Sequence, residues 1–308
     1  MGCYVGLNFV GALAYADDIV LIAPSPSAMR KLLTICDVYA SAYDIVFNAS
    51  KSKYLVITSG RQRALYRGIE DSGFLIGNKP VEFVKTFIHL GHIIKSNLDD
   101  DDDILHRRNC FVGQANNVLC IFNKLDTFIK LRLFKSFCGS LYGCELWALD
   151  NDAINDLVIS WRKALRRILD IPYNCHSFLL PLVTGSLPVF DEVCKRSARF
   201  IISCLLSSSN LVRSVARYAL IARFNSGIGK NALICCQRFG WALADFCSGN
   251  VAMYNSYFLQ RAVEKFTIDQ IYSAVVLLDA INIRQGYFVF DNENFFCLGL
   301  IYRTLLTL

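Results

Sequence analysis

The chain has 308 residues, 54% of them apolar and 19% charged, with a net charge of +6. That apolar share exceeds the ~45–50% of an ordinary globular domain, so disorder and a coiled coil are excluded and a large core is expected. Mean hydropathy is +0.36, yet no uncharged apolar run reaches the about 18 residues that a membrane-spanning helix needs.

Residues 1–100 read as short strands around one helix. Val10 to Tyr15 and Ile19 to Ala23 are apolar runs on either side of Asp17-Asp18, a pattern that predicts a tight β-hairpin. Pro24-Ser25-Pro26-Ser27 stops the second strand and caps a helix in which Met29, Leu32, Leu33, Cys36, Ala40 and Tyr43 recur at helical spacing. Tyr54 to Thr58 is apolar and β-branched. Phe74 to Ile76 and Val81 to Val84 flank a Gly77-Asn78-Lys79-Pro80 turn, and Phe87 to Ile94 is a strand pair broken at Gly91. From Asp103 the period becomes helical. Ile104, Phe111, Ala115, Val118, Leu119 and Phe122 form one stripe, and others follow at 127–148, 152–169, 190–206, 211–224, 232–247 and 267–281. Pro172, Pro181, Gly185 and Pro188 mark a loop between two helical groups. The expected fold is α+β, divided into a strand-rich 1–100, a helical 101–186 and a helical 187–308.

Thirteen cysteines are scattered without a CxxC pair, which argues against a zinc ribbon or a secreted disulfide framework and for free thiols in a reducing compartment. The first 16 residues lack the basic region and cleavage site of a signal peptide, so the chain is read as soluble and intracellular. Charge is uneven: residues 104–199 hold 13 basic against 8 acidic side chains, while 1–100 hold 10 against 9. Within the basic stretch, Arg162, Lys163, Arg166 and Arg167 fall at i, i+1, i+4 and i+5. On a helix they form either a solvated face or a track for a phosphate backbone. Lys124, Lys130, Arg132 and Lys135 are weaker candidates for the same contact. Asp99 to Asp103 lacks the ligand pattern of a calcium loop and precedes a helix, so it reads as N-capping charge. Tyr142, Trp147 and Trp161 lie in apolar stripes and are expected in the core. At Ala16-Asp17-Asp18, two adjacent carboxylates occupy a hairpin turn with no basic neighbour, as an ordinary solvated turn or as ligands of a divalent cation.

The run Ala14-Tyr15-Ala16-Asp17-Asp18-Ile19-Val20-Leu21 resembles the Tyr-x-Asp-Asp hairpin of reverse transcriptases, in the form found in non-LTR (LINE-type, jockey-like) retrotransposons. Phe47-Asn48-Ala49-Ser50-Lys51-Ser52 resembles the next palm segment of that family, and Phe87-Ile88-His89-Leu90-Gly91-His92-Ile93-Ile94 resembles its primer grip. Ser140 to Trp147 and Trp161 to Ile168 look like its thumb helices, and Leu277 to Gly286 resembles its last segment. These matches follow one another in the family's order over nearly the whole chain.

The resemblance implies the end of a palm, a helical thumb and a C-terminal helical region of an RNA-directed DNA polymerase. It implies Asp17 and Asp18 as ligands of Mg2+ or Mn2+, and Lys51 near the leaving pyrophosphate. His89, Leu90 and Gly91 would belong to the primer grip. Arg162, Lys163, Arg166 and Arg167 would lie along an RNA template and DNA primer, in the cytoplasm and nucleus. Only 14 residues precede Tyr15, and the family's third metal-binding aspartate, its fingers and its endonuclease precede that point. The chain is therefore expected to be a truncated, C-terminal part without polymerase activity of its own, with an exposed edge from Val10 to Tyr15. A non-enzymatic module that binds RNA or RNA–DNA hybrid, and a decayed element copy with no selected function, remain alternatives.

Overall fold

A computed structural model describes residues 2–57, 73–177, 179–222, 226–244 and 269. The helix expected at 267–281, the resemblance at Leu277 to Gly286, the end of the helix expected to reach 247 and Thr58 lie outside these residues, Asp269 alone excepted. The fold is α+β. Among the described residues, those up to Asp103, with Ser208–Tyr218, form one compact unit; those of Ile104–Ser207 and from Ala219 onward form a second.

In the first unit the strands pair two by two. β1 (Tyr4–Val5) pairs with β2 (Asn8–Phe9), and β3 (Ala12–Tyr15) with β4 (Asp18–Leu21), both antiparallel. α1 (Pro26–Ala42) follows: Ser25 caps it by accepting the Ala28 N–H at 3.2 Å, and Pro26 takes the first turn, where a missing N–H costs nothing. β5 (Lys53–Tyr54) runs parallel to β8 (Glu82–Phe83), and β6 (Leu75–Ile76) forms a hairpin with β7 (Lys79–Pro80). The turn expected over Gly77 to Pro80 is thus the shorter Gly77-Asn78, and Lys79 and Pro80 already belong to a strand. Both carboxylate oxygens of Asp37, on α1, accept the Gly77 N–H at 3.0 Å and tie that hairpin to the helix. Tyr54 meets Phe74 edge to face at 4.8 Å between ring centres. Leu32 and Ala40 of α1 are buried, whereas Ile35, Val38, Tyr39 and Tyr43 are exposed. All four residues of β3 are exposed, whereas Val10 and Gly11, at the start of the edge expected from Val10 to Tyr15, are half-buried and buried: the Val10 N–H donates to the Cys3 carbonyl at 2.9 Å and the Gly11 carbonyl accepts the Ile22 N–H at 2.8 Å.

β9 (Thr86–His89) and β10 (His92–Lys95) form the last hairpin. It leads to α2 (Asp101–Ile121), whose first turn holds Asp101, Asp102 and Asp103. Asp99 accepts the Asp101 N–H at 2.7 Å, a bond that holds the Asp99 carboxyl below its ordinary range. Lys95 reaches Asp102 at 3.2 Å, and that contact raises the Lys95 pKa. Buried Asp103 accepts the Ile93 N–H at 3.0 Å. The acidic run therefore serves the helix start and its junction with β10.

The second unit is helical. α3 (Thr127–Cys138) is capped by Asp126, which accepts the Phe128 N–H at 2.8 Å. It ends at Gly139, where a Cβ would come within 2.7 Å of the Lys135 carbonyl oxygen. The apolar stripe expected from 127 to 148 is accordingly broken: Leu141 stands at φ 37°, Gly143 at φ 81°, and a short 3-10 turn covers Cys144–Leu146. α4 (Ala153–Leu169) buries Ile154, Leu157, Ala164, Leu165 and Ile168. α5 (Leu179–Thr184) lies in the stretch expected as a loop, with Pro181 in its first turn. α6 (Val189–Leu206) and α8 (Gly227–Phe239) follow, while α7 (Asn210–Ala222) belongs up to Tyr218 to the first unit; α8 stops at Gly240, φ 68°, before the end its stripe suggests.

α4, α6 and α8 share a core with Trp147, which is 1% exposed. Residues on either side of position 186 thus belong to one compact unit. Buried Asn231 of α8 accepts the Leu149 N–H at 3.0 Å and donates to the Trp147 carbonyl at 2.8 Å and to Ser197 Oγ at 3.3 Å. No disulfide forms among the described cysteines. Burial pushes the Cys138 thiol up to about 11 and that of Cys144 to about 12, so both stay protonated at neutral pH.

Candidate nucleic-acid interface

Tyr15 pairs with Asp18, so the turn joining β3 and β4 is the two-residue Ala16-Asp17, and Asp18 is the first residue of β4 rather than part of the turn. Ala16 sits at φ 51°. A two-residue hairpin loop needs left-handed backbone to match the strand twist, and glycine normally supplies it. For an L-residue that conformation costs ~1–2 kcal/mol. The turn leaves Asp17 and Asp18 exposed and adjacent, their carboxylates without a hydrogen bond or ion pair among the described residues. Ala16→Gly is expected to stabilise the chain by about 0.5 kcal/mol, after its extra freedom in the unfolded state is subtracted, and Ala16→Val to destabilise it by about 1 kcal/mol. Urea denaturation of the two variants reads this; shifts of the same sign contradict a left-handed residue at the turn.

Lys51 lies in a turn organised by Asn48. The Asn48 side-chain oxygen accepts from Ser50 Oγ at 2.6 Å and from the Lys51 N–H at 3.2 Å, and the Asn48 carbonyl accepts from Ser52 Oγ at 2.9 Å. The Lys51 ammonium is exposed and makes no ion pair among the described residues, whereas neighbouring Lys53 pairs with Glu82 at 2.5 Å. His89, Leu90 and Gly91 form the tip of the β9–β10 hairpin. His89 stands opposite His92, and the two turn residues Leu90 and Gly91 both have left-handed backbone, at φ 47° and 80°. His92 Nδ1 lies 3.6 Å from the Asp103 carboxylate, which orients the ring. Both tips named by the sequence are therefore two-residue hairpins with a non-glycine residue held left-handed.

The four cations of α4 separate into two kinds. Arg162 and Lys163 are exposed and have no partner among the described residues. The Arg166 guanidinium instead donates to the Cys175 carbonyl at 2.7 Å and to Ser177 Oγ at 2.8 Å, fastening the segment after the helix. Arg167 donates to Asn116 of α2 at 2.8 Å. Helical spacing places four charges along α4, but only two of them project without a protein partner. Lys124 and Arg132 are exposed, whereas the Lys135 ammonium donates to the Thr184 carbonyl, and burial lowers its pKa. Arg107 and Arg108, just past the acidic run, carry no motif in the sequence yet meet partners in the fold. Arg108 donates to Ser160 Oγ on α4 at 2.9 Å, and Arg107 stacks over Tyr142 at 5.0 Å. Tyr142, expected in the core, is 52% exposed.

An anionic backbone is the chemistry that the exposed α4 cations can meet, since unpaired guanidinium and ammonium groups exchange counterions for phosphates. For a metal the fit is incomplete. Two-metal phosphoryl transfer needs carboxylates that bridge both ions, and no group of three or more His, Cys, Asp or Glu side chains converges among the described residues. Asp17 and Asp18 alone offer a cation one corner of a coordination shell. No helix among the described residues is long and apolar enough to cross a membrane. In comparisons with protein-family models, curated proteins and solved structures, nothing matches this chain.

Proposed function

We propose that this chain is part of a reverse transcriptase of the non-LTR retrotransposon type, and that its described residues hold an RNA–DNA primer–template rather than complete the transfer site. The observation that carries the reading is the β3–β4 hairpin: a two-residue turn with Ala16 held left-handed sets two exposed, unpartnered carboxylates side by side at the position of the Tyr-x-Asp-Asp resemblance. Supporting it, the second hairpin tip falls at His89-Leu90-Gly91, and Arg162 and Lys163 project from the helix that resembles the thumb. In this reading Asp17 and Asp18 are ligands of Mg2+ or Mn2+ in a complete enzyme, and Lys51 stands at the leaving group. The binding surface of α4 works without them, because phosphate contacts by Arg and Lys need no metal and no base sequence.

Primer extension on an RNA template with Mg2+ or Mn2+ tests the division of labour. No incorporation above background is expected from this chain. Incorporation that Asp17→Asn abolishes would overturn the non-catalytic assignment. A second reading is a hybrid-binding module without chemistry, which the unpartnered Arg162 and Lys163 of α4 equally support.

A further inference from the structure

α6 carries a half-buried to exposed row that lies outside its buried face. Arg196, Arg199, Phe200 and Ser203 recur at i, i+3, i+4 and i+7, one face of a helix whose other side buries Val193, Cys194, Ala198, Ile201 and Ile202. Facing that row is the segment after α3, where left-handed Leu141 and Gly143 double the chain back on itself. Between them lies a shallow groove, open to solvent, of about 400 Å³, lined by Ser140, Tyr142, Glu145, Arg199, Phe200 and Ser203 among others.

The two arginines of the groove have different tasks. Arg196 is a structural clamp: it donates to Glu192 at 2.9 Å, to the Gly139 carbonyl at 2.8 Å and to the Ser140 carbonyl, and so pins the segment to the helix. Arg199 makes no hydrogen bond or ion pair among the described residues. Glu145 lines the same groove but makes no ion pair with Arg199, and a guanidinium left without a protein partner favours an anion that can accept two parallel N–H bonds, a geometry that phosphate has. Tyr142 adds a ring that Arg107 steadies from one side at 5.0 Å, and Phe200 adds a second ring. Flat aromatic walls take a flat aromatic ligand. Ser140, Ser203 and the Glu145 carboxylate supply polar groups suited to sugar hydroxyls or a ring amino group.

We propose that this groove binds a nucleotide unit, with its phosphate on Arg199 and its base against Tyr142. The proposal is independent of the duplex contact assigned to α4, which uses other residues and another ligand form. The site combines one phosphate contact with one stacking surface, so neither half of the ligand suffices. Equilibrium dialysis of the full chain against labelled AMP, adenosine and ribose 5-phosphate tests it. AMP is expected to bind saturably, at least tenfold tighter than either partial ligand. Arg199→Glu is expected to weaken AMP at least tenfold and Arg199→Lys less, while Tyr142→Leu reduces AMP to the level of ribose 5-phosphate. The dinucleotide ApA distinguishes the source: binding at least as tight as AMP marks an unpaired nucleotide of a strand, and weaker binding marks the free nucleotide. No saturable AMP binding overturns the proposal, as does equal binding of AMP and ribose 5-phosphate, or full AMP affinity in folded Arg199→Glu. Circular dichroism of each variant verifies its fold, and a lost signal in Arg199→Lys equal to that in Arg199→Glu overturns the phosphate role.

Discussion

Arg238→Ala is expected to destabilise the helical unit by about 3 kcal/mol, the largest effect of any single charged side chain here. Asp191, in the first turn of α6, is 1% exposed, and the Arg238 guanidinium from the last turn of α8 grips its two oxygens at 2.6 and 3.1 Å. Each charge also lies at the favourable end of its own helix, where the exposed N–H or C=O groups stabilise it. Removing Arg238 leaves a buried carboxylate without its counter-charge, and it must then draw in water or a proton. Replacing both residues together, Asp191→Asn with Arg238→Gln, is expected to cost less than Arg238→Ala alone, because the uncompensated charge is gone. Urea denaturation followed by circular dichroism reads both. A change under about 0.5 kcal/mol for Arg238→Ala would contradict the bidentate pair as a structural anchor.

The second large effect concerns binding. Arg162→Glu with Lys163→Glu is expected to weaken RNA–DNA hybrid binding at least tenfold at low salt and to reduce the slope of log K against log salt by about 1.8, near 0.9 for each lost phosphate contact. Arg166→Ala separates the two kinds of cation on α4. Because Arg166 bonds Cys175 and Ser177, its loss is expected as about 1–2 kcal/mol of stability, with the salt slope unchanged. Filter binding and urea denaturation of these variants decide between them: a slope that falls with Arg166→Ala but not with the double reversal would exchange their roles.

The helices with complete amphipathic stripes were legible in the sequence. α4 was expected over 152–169 and spans Ala153–Leu169; α6 was expected over 190–206 and spans Val189–Leu206. Their boundaries are written locally, by an apolar period that begins after Asn151-Asp152 and after Pro188. The end of α3 was not legible, because Leu141 and Leu146 continue the apolar pattern past Gly139, and the close approach of the Lys135 carbonyl that excludes a side chain there is a feature of the folded backbone. α5 was hidden by its prolines, since a proline in a first turn and one in a loop look alike in sequence. Strands were recognisable as apolar runs, but their partners were not: β5 pairs with β8 across 29 residues, from Lys53 to Glu82, a choice that no local period encodes.

The candidate site follows the same division. Hairpin positions came from local pattern, and the turn residues Ala16 and Leu90 proved to hold the left-handed backbone that the strand register demands. What the pattern could not supply was occupancy. Arg162, Lys163, Arg166 and Arg167 are equivalent by spacing, and they differ because Asn116, Cys175 and Ser177 arrive from elsewhere in the chain. Tyr142 misled for a related reason: it sits in an apolar stripe, but the strained turn around Gly143 takes it out of the helix and half out of the core.

The most direct measurement of the central claim is fluorescence anisotropy of a labelled RNA–DNA hybrid titrated with the unaltered chain between about 50 and 200 mM salt. Saturable binding is expected at the low end, with log K falling linearly as log salt rises and little dependence on base sequence. Absence of binding at the lowest salt, or an affinity that salt leaves unchanged, would contradict a phosphate-binding surface on α4 and with it the assignment of this chain to holding a primer–template.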